Sequence, residues 1–184
     1  MFTASTKRKE NIAEYILYMW QIEDLIRAHD LDLDKIRHNI IDKYNDLTDI
    51  QRKELTDWYE SLIDMMRREG VAEKGHLQLN INTLNQMQEL HTQLLHSSEH
   101  PEYAAEFYKT LPFIVELRSR QGEDKLGEIE TCITALYGIL MLRLSQKEIT
   151  PDTLKAVQQI SRFIALLAHD FKLDQDDKLW KHED

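Results

Sequence analysis

Turning points are scarce in this chain. Its 184 residues include 5 glycines and 3 prolines, and the first 69 residues contain neither. Glycine and proline are the strongest local breakers of regular backbone. Their rarity, with apolar residues recurring every three to four positions, predicts long helices and few connections. Cysteine occurs once, at Cys132, which excludes a disulfide within the chain. Its neighbours Ile133, Leu136 and Tyr137 predict a buried, inert thiol, and nothing nearby supplies the electropositive setting that a reactive one needs. Long hydrophobic runs are missing too. The longest nearly apolar stretch, 133–144, is too short to span a bilayer and ends with Arg143 inside it. Residues 1–9 are polar and lead straight into a helical pattern, so no secretory segment is predicted and the expected setting is the cytoplasm.

Positive charge is the minority sign. Lysine and arginine total 23 against 33 aspartates and glutamates, a formal net charge of −10. A field of that sign repels phosphate backbones and anionic lipid, which argues against nucleic acid or a membrane as partner. The Lys7-Arg8-Lys9 cluster reads as a soluble terminal run. The charged fraction of 30% and apolar fraction of 42% suit amphipathic helices with solvated outer faces. The length suits one domain, placed here at 1–173, followed by a charged, flexible tail at 174–184.

The helical stripes can be followed along the chain. A first helix is expected over about 6–29, with Ile12, Tyr15, Ile16, Met19, Ile22 and Ile26 on one side. Asp32 or Asp34 can cap a second through Tyr44, with Ile36, Ile40 and Tyr44 inward. Thr48 and Gln51 form a capping box for a third, and Gly70 suits the left-handed residue after its end. Leu77, Leu79 and Ile81 alternate like a strand, but no second strand stands ready to pair, so a helix is expected from there through Leu95. Pro101 opens a fifth helix that Pro112 should kink. Beyond Gly122, a sixth runs over about 124–146. Its segment 135–142 is apolar on nearly all sides, as in a central helix enclosed by others or covered by a second subunit. Thr150-Pro151 opens a seventh, with Leu154, Val157, Ile160, Ile164, Leu167 and Phe171 inward. Short connections favour antiparallel neighbours, so the expected fold is an all-α antiparallel bundle of six to seven helices with the sixth at its centre.

Catalytic and metal motifs fail on their context. His96-Ser97-Ser98-Glu99-His100 has H-x-x-E-H spacing, but that chemistry needs both imidazoles on one helical face, and Ser97, Ser98 and Pro101 place the string at a helix end. Glu73-x-x-His76 has di-iron spacing, but such sites need two copies and two further glutamates. Glu99-x-x-Glu102 lacks the downstream E-x-x-D that a magnesium-dependent pyrophosphatase would add. There is no G-x-G-x-x-G and no phosphate loop. No metal, cofactor or catalytic residue is therefore expected.

Three polar residues occupy apolar stripes. Glu23 falls within about 40° of Ile12, Ile16 and Met19 at 100° per residue. His91 lies among Leu84, Met87, Leu94 and Leu95, and Arg118 near Leu111, Ile114 and Val115. A buried charge does not stay alone in an apolar interior. Either each has structural partners, or the three floor an interhelical pocket in which Arg118 grips a small anion and His91 exchanges a hydrogen bond, with Tyr44 and Tyr137 as walls.

Gly75-His76-Leu77-Gln78, Leu111-Pro112-Phe113-Ile114-Val115-Glu116-Leu117-Arg118, Glu128-Ile129-Glu130-Thr131-Cys132 and Ala135-Leu136-Tyr137-Gly138 together resemble a domain-of-unknown-function family of bacterial proteins of similar length, best represented in the Bacteroides group. The likeness spans position 1 to about 171. It implies a cytoplasmic all-helical protein and supplies no activity or ligand. The function expected is non-enzymatic, a surface that binds a protein partner or a second copy of the chain; the alternative is a small-anion-binding or enzymatic bundle around Glu23, His91 and Arg118.

Overall fold

Amphipathic stripes hide their apolar faces by packing helix against helix. A computed structural model of the chain, which describes residues 2–120 and 126–180, shows that arrangement. The helices are α1 (Phe2–Glu10), α2 (Ile12–Ala28), α3 (Leu33–Asn39), α4 (Asp49–Arg68), α5 (Gln78–His96), α6 (Pro101–Ser119), α7 (Glu128–Leu144) and α8 (Pro151–Gln175), with a 3-10 turn at Ile41–Lys43. No strand occurs among the described residues. The fold is an all-α bundle. Helices α7 and α8 lie against each other and each against α2, α5 and α6, while α1 rests on α2 and α3 on α4.

Among the described residues eight helices stand where six or seven were expected, because Asn11 divides the first. Its side chain accepts hydrogen bonds from the N–H groups of Ala13 and Glu14, both at 3.1 Å, and so starts α2 afresh after α1. The second expected helix also stops early. It ends at Asn39 and tightens into the 3-10 turn, and the change of pitch turns Ile41 inward and leaves Tyr44 52% exposed. Arg52 of α4 takes up the freed carbonyls, bonding Ile41 O at 2.7 Å and Tyr44 O at 2.9 Å.

Other signals act as read. Thr48 and Gln51 cap each other's backbone at the start of α4, and Gly70 adopts φ 72° after its end. Pro101 begins α6, which continues past Pro112 on its exposed side. The expected boundary at Gly122 and helix start at 124 lie outside the described residues. Helix α8 extends to Gln175, beyond the expected limit of the domain, and Leu179 is buried while the Trp180 indole N–H bonds Asp174 at 2.8 Å. Tail positions 181–184 are outside the described residues.

Enclosure of α7 is fullest over its first third. Ile129, Thr131, Cys132 and Ile133 are buried, and burial pushes the Cys132 thiol up to about 12. Past Ile133 the apolar helix comes to the surface: of 134–144 only Ile139 is buried, and Leu144 is 65% exposed. No helix among the described residues is long and apolar enough to cross a membrane.

Candidate functional site

Glu23 is the most demanding group in the interior. Its position on the stripe of α2 leaves it 0% exposed, and a buried carboxylate must collect donors. It finds three. Oε1 accepts the Leu77 N–H at 2.9 Å and the Asn80 Nδ2 at 2.7 Å, and Oε2 lies 2.6 Å from His76 Nδ1. An ionised carboxylate only accepts, so Nδ1 carries the hydrogen in that bond.

These donors come from the start of α5, which has no cap of its own. Leu77 offers no side-chain bond there. Glu23 takes the first free N–H instead, and Glu69 takes the N–H of Gln78 at 2.6 Å. Two carboxylates at a helix N-terminus satisfy its orphan donors and suit its dipole. Leu77 thus stays just outside the helix expected to include it.

Stacking closes the centre from above. The His76 ring lies on Trp20 with centroids 4.1 Å apart and planes 10° apart, and Tyr137 of α7 meets Trp20 edge-on at 5.4 Å. The Tyr137 hydroxyl donates to Asp24 at 2.6 Å, and Arg27 joins Asp24 at 2.9 Å and reaches the carbonyls of Val71 and Gly75. Burial, then the hydrogen bond to Asp24, raises the Tyr137 pKa above its ordinary value. Trp20 Nε1, Asn80 Oδ1 and Arg27 Nε are buried with no hydrogen-bond partner among the described residues.

His91 sits in a second, separate centre. It is 1% exposed, with Nδ1 2.7 Å from the Tyr103 hydroxyl and with Phe107 and Phe163 against its ring. Glu128 Oε2 stands 3.4 Å from Nε2, close enough for its charge to act but not aligned as a hydrogen bond. Burial lowers the imidazole pKa, and Glu128 opposes part of that shift. With the ring neutral and the Tyr103 O–H donating to Nδ1, the ring proton rests on Nε2 and faces the carboxylate.

The three stripe residues therefore do not meet. Among the described residues no hydrogen bond or ion pair joins Glu23, His91 and Arg118. Arg118 is half-buried near the end of α6 with its Nε lacking a partner, and Tyr44 is at the surface. Of the five candidate residues, Glu23 and Tyr137 share a centre. His76, Trp20, Asn80 and Tyr103 were missed. Asn80 had a signal, since it continues the stripe of Leu84, Met87 and His91 back by one turn. His76 had none, because it lies in a loop.

Of the metal-like strings, His96 ends α5 and His100 caps α6, so their imidazoles stand on different elements. No group of three His, Cys, Asp or Glu among the described residues is placed to hold a metal ion.

An open groove lies beside these centres. A groove of about 700 Å³ runs between α1, α2, α7 and α8, floored by Leu17, Tyr18, Leu136, Ile139, Leu140 and Val157. Lys7 and Glu14 pair at 2.7 Å on one edge. Arg143 and Arg162 line it as well, and neither is in an ion pair among the described residues. The apolar end of α7 thus forms one wall of an open, cation-flanked channel. No curated protein and no solved structure matches the chain. A family model described as a domain of unknown function, DUF4924, matches residues 1–178, and the chain, with both buried centres and the groove inside that span, belongs to this family.

Proposed function

We propose that the protein is a non-enzymatic protein-interaction module whose contact face is the groove along α7. The observation that carries this reading is the exposure of an apolar helix end. A helix that is apolar all round is a buried helix, yet beyond Ile133 this one reaches solvent, with Leu144 65% exposed and the preceding Arg143 lining an open channel of leucines and polar side chains. An exposed apolar patch rimmed by polar groups is the ordinary mark of an interaction site. His91, by contrast, is sealed from solvent, and Glu23 already has three donors. The same proposal places the protein in the cytoplasm of a bacterium, as the resemblance of its motifs implies.

Site-specific photo-crosslinking in cells tests it. A photoreactive residue in place of Leu140 or Leu144 should yield an adduct of defined mass. The same residue in place of Tyr108, 64% exposed on α6, should not. Equal labelling at all three positions, or none at 140 and 144, rejects the groove as a contact face.

A further inference from the structure

We infer that the occupant of the groove is a second copy of this chain, in a two-fold contact; the inference rests on the interaction reading above. In such a contact the same patch serves both partners, so it must contain its own complement. This face does so in shape. Leu144 at the end of α7 is 65% exposed, while Leu154 at the start of α8, 37% exposed, is part of the channel lining. The channel is open, with Leu17, Leu136, Leu140 and Leu154 set among the polar Gln21 and Gln158. A protruding leucine and a receiving channel on one face are what a two-fold axis brings together.

The charges are complementary in the same sense. Arg143 lines the channel and has no ion-pair partner among the described residues, and the same is true of Glu148 and Asp152, which flank the two leucines at the turn. A two-fold axis that seats one copy's Leu144 in the other's channel carries Glu148 and Asp152 towards the opposing Arg143. This matters because two chains of net charge −10 repel overall. Only a face with locally alternating sign lets them approach. A standard interface needs about 800 Å² from each partner, a small part of this chain's 11603 Å² of accessible surface.

Gel filtration with light scattering on the purified full chain decides the matter. Twice the chain mass is expected at concentrations on the order of 100 μM. Leu144→Asp should give the monomer while keeping the helical circular-dichroism spectrum and cooperative melting. Arg143→Glu should weaken the dimer by at least about tenfold, and adding Glu148→Arg and Asp152→Arg should restore it. Tyr108→Asp should leave the dimer intact. A monomer at the highest concentration, or a dimer indifferent to Leu144→Asp and Arg143→Glu, overturns the inference. If the purified chain is monomeric but a photoreactive residue at 144 captures a partner of a different mass in cells, the interaction face stands and the second copy is wrong. A monomer with no adduct removes both.

Discussion

The two buried centres make an instructive pair. Glu23 and His91 occupy equivalent positions in their stripes and are equally hidden, yet they are stabilised by different means. Glu23 brings a full charge, and its donors come from across a connection: one main-chain N–H, one amide and one imidazole, all from the start of α5. His91 is held by a single phenol among aromatic rings, and burial keeps it neutral. A buried charge needs several strong hydrogen bonds and pulls distant backbone to itself; a buried neutral ring needs one partner and good packing. Glu23 therefore shapes the chain, fixing where α5 begins, whereas His91 fills a space that α5, α6 and α8 already define.

Breaking the Glu23 centre should have the largest effect. Glu23→Ala leaves the Leu77 N–H, the Asn80 amide and His76 without their acceptor, and should cost about 3–5 kcal/mol, the range for removing one partner from a buried charged set. Total stabilities are on the order of 5–15 kcal/mol, so urea denaturation should show a large shift of midpoint. Amide exchange at Leu77 and the first turn of α5 should rise more than exchange in α8. A loss below about 1 kcal/mol, typical of one ordinary hydrogen bond, would put Glu23 on the same footing as His91.

The His91 centre should respond less, and in a way that depends on pH. Tyr103→Phe removes the one hydrogen bond to Nδ1 and should cost about 1–3 kcal/mol, since a buried acceptor is left unpaired. The pH effect has a definite sign. The folded state holds the His91 pKa below the ordinary imidazole value of 6.5, chiefly by burial, so as pH falls through 6.5 the unfolded chain binds a proton that the folded one refuses. Stability due to His91 is complete above pH 6.5 and drains away below it, down to the lowered pKa. Replacing both partners, His91→Phe with Tyr103→Phe, should flatten the fall in stability below pH 6.5. An unchanged slope in the double variant would show that His91 is not the group refusing the proton.

How much of this was legible in the sequence follows from what side-chain letters encode. The stripe positions of Glu23 and His91 are spacing, and spacing was readable, as were the Thr48 capping box, Gly70 and Pro101. One of the three donors to Glu23 is a backbone N–H, which every residue but proline carries and no letter marks. Asn11 was hidden for a related reason. Asparagine is ordinary on the polar side of a helix and decisive at a cap, and only its two bonds to Ala13 and Glu14 tell which. Tyr44 was misplaced because its phase assumed an unbroken α-helical pitch, which the turn at Ile41–Lys43 changes. Whether Glu23, His91 and Arg118 share one pocket or find separate partners is decided one level higher. Phase places a residue on the inner side of its helix but says nothing about its height along the bundle.

The smallest effect belongs to the bond that ties the Glu23 centre to the groove wall. Tyr137→Phe keeps the ring against Trp20 and deletes only the hydroxyl bonded to Asp24. Asp24 keeps Arg27 at 2.9 Å and is 51% exposed, so water can replace the lost donor. The cost should be about 0.5–1.5 kcal/mol, the net worth of one ordinary hydrogen bond. The consequence for the comparison is sharper than the magnitude. If Tyr137 only braces α7 against α2, Tyr137→Phe and Glu23→Ala should show no more than additive losses beyond about 0.5 kcal/mol in a double-mutant cycle. If the carboxylate, Trp20 and Tyr137 act as one clasp, the double variant should lose clearly less than the sum of the singles. Coupling of that kind would mean that the wall of the groove is positioned from the buried charge outward, through Tyr137 in the middle of α7, whereas the His91 centre faces α7 through Glu128 at its first residue.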